Sequence, residues 1–174
     1  MLISEGYRIL QRNLHDSDFN YGQASGLLFP LIREVISQVQ PRSILDYGAG
    51  KGRLKTLLDG ANLSKIPYAS YDPAFPEYGE SISADMVCCI DVLEHIEPEC
   101  LDEVLKDLHR VTQRIGMFTI HTGAAKKHLE DGRNAHLIQK PSSWWLPKLC
   151  KHFEIDYLGQ SVGGFYILVC PQKC

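Results

Sequence analysis

The chain has 174 residues, 44% hydrophobic and 22% charged, which suits one soluble globular domain and leaves no room for two ordinary ones. No apolar run approaches the ~20 residues of a membrane helix, and the charges in "MLISEGYRILQRNLHDSDF" argue against a secretory leader. The net charge of −3 hides an asymmetry: eleven acids against one base between Asp72 and Asp107, then six bases and four histidines against two acids between His121 and His152.

In chain order, the first helical pattern is interrupted at Pro30 and resumes in "LIREVISQV", where Leu31, Ile32, Val35, Ile36 and Val39 form one face. "RSILDYG" reads as a buried strand running into glycines, followed by helical spacing at Leu54, Leu57 and Leu58. "YASYD" is a second strand ending on Asp72. "DMVCCID" (85–91) is a third, continuously apolar as strands covered on both faces are. Pro98 suits the first turn of a helix with Leu101, Val104, Leu105 and Leu108 on its inner face. "GMFTIHT" (116–122) is a fourth strand, and "PSSWWLPKLCKHF" a short helix capped by Ser142 or Ser143 and limited by Pro147. "FEIDYLG" and "GFYILVC" close the chain as an antiparallel pair. The alternation predicts an α/β, Rossmann-like layered sheet, mostly parallel with an antiparallel last strand. Residues 1–174 form a single domain, with 1–40 a helical lid and 41–174 the core. Cys88, Cys89, Cys100, Cys150, Cys170 and Cys174 show no metal-type spacing, which suits reduced thiols and a cytoplasmic location.

A glycine-rich turn between strand and helix lets backbone approach a ligand closely. In "SILDYGAGKGRL" the glycines Gly48, Gly50 and Gly52 make G-x-G-x-G, and Arg53 stands where the dinucleotide fingerprint places its third glycine. Asp46, two residues before the first glycine, suits a cofactor with an ammonium or sulfonium better than a pyrophosphate. Asp72, ending the next strand, is placed to accept hydrogen bonds from a ribose diol.

"ILDYGAGKGRL", Asp72 and "DMVCCIDVLEHI" together resemble a class I S-adenosylmethionine-dependent methyltransferase, from about Arg42 to the C-terminus. The "DVLEH" ending is similar to the ubiquinone-type O-methyltransferase branch. The resemblance implies that Asp46, Tyr47, Gly48, Ala49, Gly50 and Gly52 line the methionine end of S-adenosyl-L-methionine. It implies that Asp72 with Pro73 holds the ribose, that Ile90 and Asp91 flank the sulfonium, and that Tyr21 belongs to a covering segment. Between Asp72 and Asp85, "PAFPEYGESISA" is too short for the family's helix–strand–helix. The edge strand after Asp72 is therefore expected to be missing or shortened, with Phe75 or backbone at Ser83–Asp85 meeting the adenine instead.

Methyl transfer needs orientation and removal of one proton. His121, directly after "MFTI", is the leading base, followed by Asp91; Glu94 and His95 in the ubiquinone-type branch often only organise the turn. An alternative weighs Asp91, Glu94 and His95 on one helical face with His136 of "DGRNAH". A similar arrangement in small-RNA 3′-terminal ribose 2′-O-methyltransferases binds a divalent ion; here a metal is not expected, and a soft or borderline ion would suit the donors best. Trp144 and Trp145 are read as one core residue and one residue able to stack on a sugar or base. The basic segment is either a solvated face or a lip over a site receiving an anion.

The expected activity is methyl transfer to a hydroxyl or amine of a small polar or anionic acceptor: a sugar, nucleotide or phosphorylated metabolite. An RNA end and a catalytically silent cofactor-binding subunit are the alternatives. No membrane partner is expected, and a homodimer is compatible with the exposed edge.

Overall fold

The computed structural model describes residues 1–172; Lys173 and Cys174 lie outside the described residues, and with them the thiol expected at Cys174. Two helices, α1 (Glu5–Ser17) and α2 (Ala24–Val39), precede β1 (Ile44–Tyr47), α3 (Arg53–Gly60) and β2 (Tyr68–Tyr71). Then follow β3 (Ala84–Ile90), α4 (Leu101–Val111), β4 (Thr112–His121), α5 (Ser142–Leu149), β5 (Phe153–Ser161) and β6 (Gly164–Pro171). The six strands run in the order β2-β1-β3-β4-β6-β5. β1 to β4 are mutually parallel, and β6 runs antiparallel to both β4 and β5.

The pleat sends alternate residues to opposite faces, and each face is covered. Ile44, Met86, Cys88 and Ile90 pack with Ile32, Val35 and Ile36 of α2 and Leu54 and Leu58 of α3. Leu45, Val87 and Cys89 pack with the α4 stripe Leu101, Val104, Leu105 and Leu108 and with Trp145 and Leu149 of α5. Each fully buried side chain of this size contributes about 1.5–3 kcal/mol. β1 and β3 are buried along their whole length, which is why both read as continuous apolar runs.

Several elements differ locally from the sequence reading. Pro30 lies inside α2 rather than breaking it; its ring faces solvent, while the apolar face on either side of it stays packed on the sheet. α4 begins at Leu101 behind Cys100, so Pro98 belongs to the preceding turn. α5 is preceded by Pro141 without a side-chain cap, so neither Ser142 nor Ser143 caps it. β4 starts at Thr112, four residues before Gly116, because α4 passes into it directly.

Between Asp72 and Ala84 the only element is a 3-10 turn, Pro76–Tyr78. β2 is therefore the sheet edge, as the short spacing suggested. Sheet order reverses at β1, where β2 lies on one side and β3 on the other. The crevice beyond the C-terminal ends of β1 and β3 is the place where such sheets bind ligands.

At the opposite end, Asp85 is buried and accepts from the Arg42 backbone N–H at 2.8 Å and from Arg114 Nη2 at 2.8 Å and Nε at 3.2 Å. This overturns the expectation that Ser83–Asp85 meets the adenine, since the segment starts β3 at the wrong edge. The Arg114 bonds, followed by those from Arg42, hold the Asp85 carboxyl well below the ordinary 3.8, against the effect of burial. A depressed folded-state pKa contributes stability that is fully present above the unfolded value and is lost as pH falls. Asp85→Asn is expected to lower the unfolding free energy by about 1–3 kcal/mol near neutrality. In urea melts the gap between native and variant protein should narrow below about pH 4.

Candidate functional site

A cavity of about 960 Å³, counting its open mouth, lies at the switch point under α1 and the segment after it. Its floor is the glycine turn. Gly48 and Gly50 take the left-handed backbone at φ 82° and 49°, where side chains are strained. A Cβ on Gly48 would lie 2.3 Å from Val92, and one on Gly50 2.8 Å from His15. The Gly48 and Ala49 N–H groups donate to the Tyr71 carbonyl at 2.7 and 3.0 Å, tying the turn to the end of β2.

Two carboxylates flank this turn. Asp46 is buried and accepts from the Tyr68 hydroxyl at 2.6 Å. Burial pushes its pKa up to about 7, with the Tyr68 bond acting the other way. Asp72 is also buried and accepts from the N–H groups of Gly50 and Ala74, both at 2.8 Å; burial again raises its pKa. Tyr47, Pro73, Ile90, Asp91 and Tyr21 border the same cavity, although the Tyr47 hydroxyl donates to Asp107 at 3.0 Å. Gly52 does not border it: it precedes α3 and faces the Tyr78 hydroxyl. Phe75 packs against His15 and under the Arg12 guanidinium, behind the cavity wall formed by Pro73 and Ala74.

"DVLEH" does not form an α-helical turn. Asp91 adopts φ 59°, and only Leu93–His95 form a 3-10 turn, so Asp91, Glu94 and His95 do not share a face. Asp91 and His95 border the cavity. Glu94 is wholly buried beneath them. Its Oε1 accepts the His121 backbone N–H at 2.5 Å, and its own carbonyl accepts from Ile138 at 2.9 Å. Burial first, then the neighbouring Asp91, raises the Glu94 pKa well above the carboxylate range. Its Oε2 has no hydrogen-bond partner among the described residues. For His95, burial outweighs Asp91 and the Ala135 carbonyl and lowers the pKa to about 4.

His121 stands apart from the cavity wall. Its Nδ1 accepts from Gly123 N–H at 3.1 Å and its ring lies against Gly163, where an added Cβ would fall 2.1 Å from Nε2. Its ring meets the site through His136, with ring centroids 4.8 Å apart. The structure brings His136 to His95, with centroids at 4.7 Å, and groups Asp91, His95 and His136. Trp145 is fully buried in the core, while Trp144 is half-buried with Lys148 over its ring; neither borders the cavity.

The sequence reading missed the contribution of α1. Tyr7, Gln11 and His15, spaced i, i+4, i+8, are buried on one face and border the cavity; that mixed aromatic and polar stripe was the available signal. Gln11 Nε2 donates to the Tyr7 hydroxyl at 2.6 Å, which donates to the His95 carbonyl at 2.5 Å. The His15 pKa falls to about 4 through burial and, secondarily, Lys51. The start of α1 is anchored where Glu97 accepts from the Ser4 hydroxyl at 2.6 Å and from its N–H at 2.8 Å.

No family model matches the sequence, and no curated protein matches it. Solved structures do share its architecture. A Burkholderia thailandensis 1,6-didemethyltoxoflavin-N1-methyltransferase, with 1,6-didemethyltoxoflavin and S-adenosylhomocysteine bound, superposes with a TM-score of 0.64 at 16% identity, over 99% of this chain and 92% of that one. The DhpI-SAM-HEP complex gives 0.61 at 12% identity, over 96% and 94%. The PH0226 protein of Pyrococcus horikoshii OT3 gives 0.59 at 13% identity, over 89% and 94%. At these identities the likeness establishes a shared Rossmann-like α/β fold.

Glu94→Gln keeps an acceptor for the His121 N–H and a donor toward Asp91, so it should unfold within about 1 kcal/mol of the native protein. Glu94→Ala leaves a buried N–H unpaired and should cost about 1–3 kcal/mol or more. Denaturant unfolding of the two variants side by side checks this.

Proposed function

We propose that this chain is an S-adenosyl-L-methionine-dependent methyltransferase acting on a hydroxyl or amine of a small polar or anionic acceptor. The observation that carries the reading is the pair Asp46 and Asp72, one on each side of a glycine turn that borders a single cavity. Asp46 would receive the ammonium of the methionine end. Asp72 already accepts one N–H on each oxygen, and its remaining lone pairs suit ribose hydroxyls. Close approach at Gly48 and Gly50 keeps side chains out of the methionine path. The likeness to structures holding S-adenosylhomocysteine or SAM supports the same cofactor.

When bound, S-adenosyl-L-methionine would supply an activated methyl group for in-line transfer to the acceptor, whose proton would pass to Asp91 or to solvent at the cavity mouth. This chain's part is orientation and electrostatics. Ile90 and Asp91 border the cavity where the sulfonium would lie, and Tyr7, Gln11 and His15 of α1 would help keep water from it. The "DVLEH" turn, with Glu94 organising rather than reacting, supports the ubiquinone-type branch. Arg133 lies over the ring of Tyr7, which borders the cavity, at 5.4 Å. Lys127 and Arg133 are paired with Asp18 and Asp131, however, so the preference for an anionic acceptor rests on the excess of bases over acids in the 121–152 segment. No helix among the described residues is long and apolar enough to cross a membrane, which accords with a cytoplasmic enzyme.

Thermal shift with S-adenosylhomocysteine and with NAD tests the cofactor. A ligand at a hundred times its Kd adds about 2.7 kcal/mol, so S-adenosylhomocysteine should raise the Tm while NAD does not; the reverse result sinks the reading. An acceptor screen that yields product only on RNA ends, or none at all beside a captured second subunit, would replace the small-molecule acceptor.

The raised Asp46 pKa adds a pH dependence. Below about 7 the carboxyl is protonated in the unliganded protein, and an ammonium must displace that proton. S-adenosylhomocysteine affinity should therefore weaken by up to about tenfold per pH unit below 7 and level off above it. Calorimetric titrations of the native protein and Asp46→Asn check this: the variant should bind more weakly at pH 8 and show a flatter profile.

A further inference from the structure

Three side chains from two separate stretches converge beside the cavity: Asp91 and His95 from the turn after β3, and His136 from the loop after β4. One donor atom from each lies within 4.8 Å of the others. We propose that Asp91, His95 and His136 form a binding site for one divalent cation of the borderline class, such as Co²⁺, Zn²⁺ or Mn²⁺.

The hydrogen bonds behind the two imidazoles are those of a ligand set. His136 Nδ1 lies 2.7 Å from the Gly123 carbonyl, a bond that only Nδ1–H can make, so its Nε2 keeps a lone pair. His95 Nδ1 lies 3.2 Å from the Tyr21 oxygen, and the Tyr21 hydroxyl donates to Gln11 Oε1 at 3.2 Å. In the tautomer that places the Tyr21 hydroxyl proton on Gln11, the Tyr21 oxygen accepts His95 Nδ1–H and His95 Nε2 keeps its lone pair. Gln11 is itself oriented by its bond to Tyr7. Metal-binding histidines are fixed in this way, through the far ring nitrogen, by carbonyls and other acceptors.

Asp91 supplies the third donor from a constrained position. A non-glycine residue at φ 59° is uncommon, and here the backbone is held by the Asp91 N–H bond to Thr119 Oγ1 at 2.9 Å. Strain of this kind persists where surrounding structure imposes it, and it concentrates at functional sites. Glu94 is outside the set, because its Oε1 holds the His121 N–H. Two nitrogens and one carboxylate oxygen disfavour Mg²⁺, which prefers oxygen shells, and suit borderline ions. Three protein ligands also leave at least one coordination position open. With Asp91 and His95 bordering the cavity, that position would take an oxygen of the acceptor, a clause that rests on the methyl-transfer reading.

The binding site itself is tested without cofactor or acceptor. Full-length protein stripped with chelator is titrated with Co²⁺ and followed by visible absorption. The expected result is a band saturating at one equivalent and displaced by Zn²⁺. Asp91→Asn and His136→Ala should each weaken binding at least tenfold, while their circular dichroism matches the native protein. His136→Gln, which keeps a polar side chain of similar reach, serves if the alanine variant does not fold. A double variant at the separate pair His109 and His152, whose centroids are 6.3 Å apart, should bind as the native protein does. Absence of a saturable band, a band that survives substitution of His136, or one lost with His109 and His152 would overturn the proposal. Because this readout uses metal alone, its failure is distinguishable from failure of the S-adenosylhomocysteine shift.

Discussion

Everything near the cavity depends on one buried carboxyl. Glu94 receives the backbone of His121 at the end of β4 through its side chain and the backbone of Ile138 through its carbonyl. It thereby ties three segments together: the turn after β3, the tip of β4, and the 122–141 loop that returns to α5. A buried charge of this kind is costly unless it is paired or neutralised. The raised pKa of Glu94 follows from that burial and from the neighbouring Asp91, while its Oε1 accepts from His121. Asp91, His95 and His136 meet only because the backbones that bear them are joined at this point.

The N-terminal helix α1 is held on the same turn. Glu97 captures the N-terminus of α1 through Ser4, Tyr7 donates to the His95 carbonyl, and Tyr21 stands on the His95 ring. Its apolar side is a small separate cluster in which Tyr7 and Leu14 pack with Leu129 and Ala135. The helix thus rests on the 122–141 loop and the "DVLEH" turn and not on the sheet. Tyr7, Gln11 and His15 face inward and border the cavity.

The sheet was legible because the local and global signals agree. β1 and β3 are apolar throughout since helices cover both faces, and the glycine spacing, Asp46 and Asp72 mark the strand ends next to the crevice. The missing edge strand was legible from chain length alone, since the residues between Asp72 and Asp85 cannot span a further helix and strand. Boundaries were less legible. Pro30 was read as a break because proline disfavours helix interiors by about 3 kcal/mol, but packing of Ile32, Val35 and Ile36 on the sheet outweighs that local cost. Ser83–Asp85 was assigned to the ligand end when it belongs to the opposite edge, where two arginines hold Asp85.

The sequence by itself determined the layered α/β sheet, the glycine turn and the two carboxylates beside it, because each follows from hydrophobic periodicity or from its place at the end of a strand that this periodicity marks. Tertiary structure alone decided how the histidines and acids are shared out. His121, first choice by its position at a strand end, is turned against Gly163. Glu94, one residue before His95, points into the core because a 3-10 turn and a left-handed Asp91 send the two side chains in different directions. His136 reaches His95 from 41 positions away along the sequence, and only the closure of a loop on Glu94 brings them together.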